Sequence, residues 1–390
     1  LPTAAGSHTL VYHGRIPGAD GVDFEGAMAM SDEEAWASTT SPKVRPLKSE
    51  PLLAALAPFA RIVLVSHVNP DPDALGSMMG LEALITARLP GKTVTKTLDG
   101  IIARAENQAM VDLVPIRLVP VAEAPRGPDV AVVMVDSQPR AARRDGDDRW
   151  PTVVLDHHDT PGSLDGVRFS DIRPNLGSTC TMVTGYLIEQ GVPVPPRLAS
   201  SLWYGIESEI SGYPREAGPL DDGALVWLFP RADKNLLAQI RNPRLPQSYF
   251  ATYQYALTNA FLYGDVVVAW CGGVPQPDIV AELADFFIRF DQVRWSLVVG
   301  RYDDVLKISS RCDHIGGRCG EVLRAVVDGL GSAGGHDKRA GGAIPLGLPP
   351  DARAVERLLS ELRHRFLAEL DIDEQKGRRL LESAPSIDAP

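Results

Sequence analysis

Cysteine is scarce in this chain: Cys180, Cys271, Cys312 and Cys319 are the only four in 390 residues, and no two form a CxxC pair. Four scattered thiols make no disulfide framework at this length, so the core has to hold the fold, and a reducing cytoplasm is the expected location. Long apolar runs are missing too. The longest lie near Val130–Val135 and Val266–Trp270, well short of the ~18–20 residues that a membrane helix needs, so no membrane partner is expected. The first residues, Leu-Pro-Thr-Ala-Ala-Gly-Ser-His, have neither a basic start nor an apolar centre, and no Met opens them. No secretory signal is expected there. Basic charge is in deficit, with 39 Lys and Arg against 50 Asp and Glu and a formal net charge of −11. A protein that tracks long nucleic acid carries a basic stripe, and none is evident. A polyanionic ligand of this chain would be short and held by a few local charges.

What is present is a globular composition, 44% hydrophobic and 23% charged, in a chain long enough for two domains. Residues 1–46, rich in Gly, Ala, Ser and Asp without sustained periodicity, are expected to be disordered. From there strand-like runs at Ile62–Ser66, Thr93–Leu98, Val130–Asp136 and Thr152–Asp156 alternate with helix-like stretches at Ala74–Arg88, Thr179–Glu189 and Arg197–Ile210. Buried strands alternating with helices predict an α/β fold with a parallel sheet over residues 47–229. A helical linker at 230–252 then leads to a smaller α/β domain at 253–372. Its expected elements are a helix Tyr253–Tyr263, a strand Asp265–Trp270, an amphipathic helix Pro277–Phe290, strands Arg294–Gly300 and Val305–Ser309, and helices Gly320–Leu330 and Ala354–Leu370. Residues 373–390 read as a tail.

Three clusters able to do chemistry follow the three best strands. The first is His67-Val68-Asn69-Pro70-Asp71-Pro72-Asp73; the second is Asp136; the third is Asp156-His157-His158. Taken singly, an Asp at a strand end is a turn former or a helix cap, and a His pair is a hydrogen-bonded loop. Seven such residues on three strand ends of one sheet are another matter, because open α/β sheets bind ligands outside the carboxyl ends of their strands. Carboxylates mixed with imidazoles, and no thiolate, suit Mn²⁺ or a similar divalent ion better than a closed structural zinc site. A carboxylate shared by two ions about 3.5–4 Å apart would arrange them for phosphoryl chemistry.

These clusters, in order and spacing, resemble the first three motifs of the DHH phosphoesterase superfamily. Gly177-Ser178-Thr179 is similar to that family's Gly-Ser-Thr segment. Far downstream, Gly334-Gly335-His336-Asp337-Lys338-Arg339-Ala340-Gly341-Gly342 resembles the Gly-Gly-His…Ala-Gly-Gly signature of the DHH-associated C-terminal domain. The matches span roughly residues 60 to 345. The subgroup suggested contains nanoRNases, 3′-phosphoadenosine-5′-phosphate phosphatases and cyclic-dinucleotide phosphodiesterases. The resemblance implies that His67, Asp71 and Asp136 hold one metal and that Asp73, Asp136 and His157 hold the other, with Asp136 bridging. It implies that Asp156 orients the neighbouring imidazole and that His158 faces the substrate phosphate. A fourth motif supplies one more Asp to the second metal after a Gly-Ile pair. Here that stretch is Gly205-Ile206-Glu207-Ser208-Glu209, so Glu209 takes the place, a departure whose extra methylene changes the ligand's reach. In the second domain the resemblance implies that Arg311 and the Gly-rich loop, with Gly334, Gly335 and His336, clamp the substrate, with Lys338 and Arg339 as weaker candidates for the same clamp.

The expected activity is therefore hydrolysis of a phosphoester by metal-activated water, with two Mn²⁺ ions as cofactor and Mg²⁺ or Co²⁺ as substitutes. Catalysis would rest on His158, Asp156 and Asp136. Expected substrates are short: nanoRNA, linear dinucleotides or 3′-phosphoadenosine 5′-phosphate. Two other readings stay open, a cyclic-dinucleotide phosphodiesterase and a nucleotide-binding regulatory protein that has lost turnover. A homodimer is allowed for as a partner.

Overall fold

The computed structural model describes residues 49–139, 149–159, 162–210, 217–314, 316–335, 337–347, 351–373 and 377–381. The Gly- and Ser-rich start expected to be disordered, residues 1–46, lies outside them, as do His336 and residues 382–390 of the tail.

The first half opens with helix α1 (Ser49–Leu56), then strand β1 (Arg61–Val65), helix α2 (Pro72–Arg88), strand β2 (Thr93–Leu98), helix α3 (Ala105–Leu113) and a short strand β3 (Leu118–Pro120). Strands β4 (Val130–Val135), β5 (Val153–Asp156) and β6 (Phe169–Ile172) follow. Helices α4 (Thr179–Glu189), α5 (Pro196–Ile210), α6 (Pro219–Leu228) and α7 (Lys234–Arg241) come after them. All six strands pair in parallel in the order β3-β2-β1-β4-β5-β6. The chain therefore works outward from β1 in one direction and from β4 in the other. The crevice at the carboxyl ends of β1 and β4 is the topological switch point, where such sheets bind ligands. β1, β4 and β5 are apolar on both faces and buried, as a sheet covered on both sides requires.

The second half begins with helix α8 (Gln247–Thr258). Strands β7 (Ala260–Tyr263) and β8 (Val266–Gly273) follow, then helix α9 (Ile279–Phe287), strands β9 (Trp295–Tyr302) and β10 (Val305–Cys312), helix α10 (Cys319–Val326), strands β11 (Ser332–Gly335) and β12 (Arg339–Pro345), and helix α11 (Ala352–Glu369). A two-residue strand β13 (Arg378–Arg379) closes the order β11-β12-β10-β9-β8-β7-β13. This sheet is mixed: β8 and β9 run parallel and the other pairs antiparallel.

Four local expectations are corrected. The helix expected over Tyr253–Tyr263 stops at Thr258, and Ala260–Tyr263 is a strand. β10 runs on to Cys312, so Arg311 lies inside a strand rather than after one. The Gly-rich stretch is a hairpin, β11–β12, and part of the expected tail pairs with β7. In each case pairing with another strand supplies backbone hydrogen bonds that local composition does not announce. Among the described residues no helix is long and apolar enough to cross a membrane.

Candidate functional site

Asp71 is the N-cap of α2, its Oδ1 accepting from the Ala74 N–H at 3.0 Å, with Pro72 at the first helical position. This places Asp73 within the first turn, fully buried. Its carboxylate is aimed at the start of another helix, α4. Oδ1 accepts from Ser178 Oγ and from the Cys180 N–H, both at 2.7 Å, and Oδ2 accepts from the Thr179 N–H at 2.7 Å. Helix N-termini favour an anion at such a point. The Gly177-Ser178-Thr179 loop is fixed in turn by buried Asp221, whose Oδ2 accepts from the Gly177 N–H at 2.9 Å.

Asp136, immediately past β4, sits with φ at +55°, in the left-handed region that non-glycine residues seldom occupy. There its carboxylate lies between imidazoles. His67 Nε2 is 3.4 Å from Oδ2, His157 Nε2 is 3.3 Å from Oδ1, and Thr179 Oγ1 donates to Oδ1 at 3.1 Å. His67 Nε2 also lies 3.8 Å from Asp71 Oδ1, and His157 Nε2 lies 3.6 Å from Asp73 Oδ2. The far nitrogens of both rings are held by backbone: His67 Nδ1 by the Val68 carbonyl at 3.0 Å and His157 Nδ1 by the Leu176 carbonyl at 3.1 Å. That arrangement turns Nε2 of each ring toward the carboxylates. His158 differs. Its Nδ1 contacts Asp156 Oδ1 at 2.7 Å, while Asp156 also accepts from the His157 N–H and from Gln138 Nε2, each at 2.9 Å. Nε2 of His158 is left for a ligand.

Glu209 arrives on α5. The helix approaches α2 closely because residue 205 is Gly: a Cβ there would lie 2.9 Å from the Pro72 carbonyl and 2.5 Å from Cys180 Sγ. One turn later, Glu209 lines the same cleft as His67 and Asp71. An acidic side chain in the last turn of a helix runs against the helix dipole. Its carboxyl is pushed up to about 8 by burial, then by the charges of Asp71, Asp73 and Asp136. Asp73 is pushed up to about 7 by burial and by Asp136. Asp136 is held far below the carboxylate range: burial opposes this, but His157 and His67 outweigh it. Four carboxylates gathered in one cleft, two of them buried, leave negative charge that the imidazoles only partly offset. The donor set fits divalent cations: ligand atoms of His67, Asp71 and Asp136 lie within 4.8 Å of one another, as do those of Asp136, His157 and His158. Asp73, with three accepted hydrogen bonds, keeps one lone-pair direction on Oδ2 for a cation.

The cleft at this point has a volume of about 700 Å³, and both halves of the molecule line it, Arg104, Tyr204 and Glu209 from one and Asp278 and Arg339 from the other. Arg311 does not present a free guanidinium. It is buried, with Nε on Asp285 Oδ1, NH2 on Asp285 Oδ2 at 3.3 Å and NH1 on Ser309 Oγ at 2.7 Å. Gly334 and Gly335 lie exposed on β11. Glu207 is committed to a bidentate pair with Arg241. Arg104 and Arg241 were invisible as site residues in the sequence, since an isolated Arg outside any motif carries no local signal. Gln138, two residues past Asp136, was equally silent.

Residues 61–206 match the DHH family, N-terminal domain. The chain is 28% identical over 324 residues to an uncharacterized protein of Methanocaldococcus jannaschii, covering 81% of this chain and 66% of that one, so it spans just under two thirds of that relative's length. A 46-residue segment, 12% of this chain, is 46% identical to 15% of the probable bifunctional oligoribonuclease and PAP phosphatase NrnA of Streptococcus mutans. Among solved structures, an exopolyphosphatase-related protein from Bacteroides fragilis superposes with a TM-score of 0.66 at 16% identity, over 85% of this chain and all of that one. That likeness is one of fold.

Proposed function

Because the chain belongs to the DHH phosphoesterase superfamily, whose enzymes depend on divalent metals, we propose that it hydrolyses short nucleotide phosphoesters with two Mn²⁺-type ions. The observation that carries this reading is the placement of Asp136, whose Oδ2 lies 3.4 Å from His67 Nε2 and whose Oδ1 lies 3.3 Å from His157 Nε2, so that its two oxygens face two different imidazoles. His67, Asp71 and Asp136 would hold one ion; Asp73, Asp136, His157 and Glu209 would hold the other. When bound, such a pair lowers the pKa of water and offsets charge on a phosphoryl group. The chain's own residues do the rest. Asp156 fixes the tautomer and direction of His158, leaving Nε2 to donate to a phosphate oxygen as charge develops there. Arg104 from the first half and Arg339 from the second offer guanidinium donors to the same cleft. A substrate short enough to touch both sides is favoured. The Streptococcus mutans protein, whose name describes an oligoribonuclease and PAP phosphatase, supports that substrate class.

The test is a turnover panel with Mn²⁺ and with chelator: a 5′-phosphorylated dinucleotide, 3′-phosphoadenosine 5′-phosphate, a cyclic dinucleotide and a long single strand. Metal-dependent release of mononucleotide or phosphate from either of the first two is expected. Asp136→Asn should lower it by more than about a hundredfold, beyond what loss of an outer partner of a metal ligand costs. Preference for the long strand, or near-normal turnover in Asp136→Asn, would defeat the reading.

A further inference from the structure

Away from the cleft, the last residue of β10 and the two that follow it carry three side chains that the proposed reaction does not use. Cys312 Sγ lies 3.1 Å from His314 Nδ1 and 3.7 Å from its Nε2, and His314 Nδ1 lies 3.0 Å from Asp313 Oδ1. One donor atom from each falls within 4.8 Å of the other two. We propose that Cys312, Asp313 and His314 form a second cation site, selective for a zinc-type ion and independent of the phosphoesterase reading.

The donor chemistry sets the class of ion. A thiolate, an imidazole and a carboxylate are the ligands zinc takes, whereas the cleft presents only carboxylates and imidazoles, which suit harder ions. Geometry agrees. Bonds of about 2.0–2.3 Å in a tetrahedron put neighbouring ligand atoms roughly 3.3–3.8 Å apart. The two pairs that include His314, 3.1 Å to Cys312 Sγ and 3.0 Å to Asp313 Oδ1 through Nδ1, need adjustments of only a few tenths of an ångström, and the third pair lies within 4.8 Å.

The three donors also sit on anchored backbone. The Cys312 N–H donates to the Lys338 carbonyl at 2.9 Å and the Asp313 N–H to the Arg294 carbonyl at 3.1 Å. The following loop folds directly over the thiol: a Cβ on Gly317 would lie 2.3 Å from Cys312 Sγ. The edge of the Trp295 ring meets the His314 ring, centroids 5.9 Å apart. Arg294 Nε, 3.5 Å from Asp313 Oδ1, is the competitor an incoming ion would displace. Three protein ligands leave one position for water, so the site is open rather than closed. Through Lys338 it ties the end of β10 to the start of β12, the strand whose Arg339 faces the cleft.

Cobalt(II) makes this testable, since a thiolate bound to it adds a charge-transfer absorption in the near ultraviolet that oxygen and nitrogen ligands do not give. The metal-stripped full chain is titrated with Co²⁺. The band is expected to reach a plateau of one thiolate-bound Co²⁺ per chain whatever the two cleft sites take up, to be displaced by excess Zn²⁺, to be absent in Cys312→Ser and in His314→Ala, and to be retained in Asp136→Asn. A parent protein without the band, or a band surviving in Cys312→Ser, overturns the proposal. If Cys312→Ser loses its native circular dichroism, His314→Ala decides alone: its ring is partly exposed, and an undiminished band there overturns the proposal equally.

Discussion

Arg104 and Asp285 meet across the cleft, NH2 to Oδ2 at 3.6 Å, one from the start of α3 in the first half and the other from α9 in the second. Asp285 also holds Arg311, so one carboxylate positions two guanidinia with different fates. Arg311 is sealed within the second half, while Arg104 keeps 41% of its side chain exposed and lines the cleft.

Truncating each separates binding from folding. Arg104→Ala should raise KM for a 5′-phosphorylated dinucleotide roughly tenfold, the lower end for a charge-assisted hydrogen bond given its exposure. Its kcat and melting temperature should stay near the parent's, and a small phosphodiester lacking the far end should barely notice. Arg311→Ala should instead cost about 2 kcal/mol of stability, because Asp285 and Ser309 lose their buried partner. Steady-state kinetics on the two esters, with a thermal melt of each variant, is the measurement. An equal loss on both esters in Arg104→Ala would remove it from substrate capture.

Glu209 asks for a different experiment. Placed against the dipole of α5 and among three other carboxylates, it is costly unless a cation shares it. Isothermal calorimetry of the parent with Mn²⁺ should show two binding events, and Glu209→Gln should lose one together with most of the turnover. Glu209→Asp should retain both in weakened form. Two unchanged events in Glu209→Gln would make the residue structural. Glu207 is no substitute, since Arg241 occupies both of its oxygens.

The same crowding predicts an unusual pH dependence for the metal-free protein. Asp73 and Glu209 are raised to about 7 and about 8 from 3.8 and 4.5. His67 is raised above 6.5 because Asp136 and Asp71 outweigh its burial. A group raised in the folded state contributes its full stability below its unfolded pKa and loses it as pH climbs through the folded value. Asp136, depressed, has already delivered its share above pH 3.8. The melting temperature without metal should therefore fall as pH rises from about 5 to about 9. Saturating Mn²⁺ should flatten or reverse that slope, because its ligands bind better deprotonated and binding adds to stability. Melts across that range, with and without Mn²⁺, decide it. A metal-free melt that climbs with pH would show that these carboxylates are not crowded in solution.

The sequence by itself determined the parallel sheet of the first half and the places where His67, Asp136, Asp156, His157 and His158 leave it. The reason is local: short apolar runs make buried strands, and polar residues directly after them can only lie at the carboxyl edge. The tertiary structure decided what depends on residues far apart in the chain. It spent Asp73 on the N–H groups of Thr179 and Cys180, more than a hundred positions on. It brought Glu209 in through the notch at Gly205 and closed Arg311 onto Asp285, and it turned Arg104 and Arg339 toward a common cleft. A guanidinium or a carboxylate reads the same in sequence whether it meets solvent, a partner or a ligand. Burial and partner geometry make the difference, and those exist only once distant strands and helices have packed.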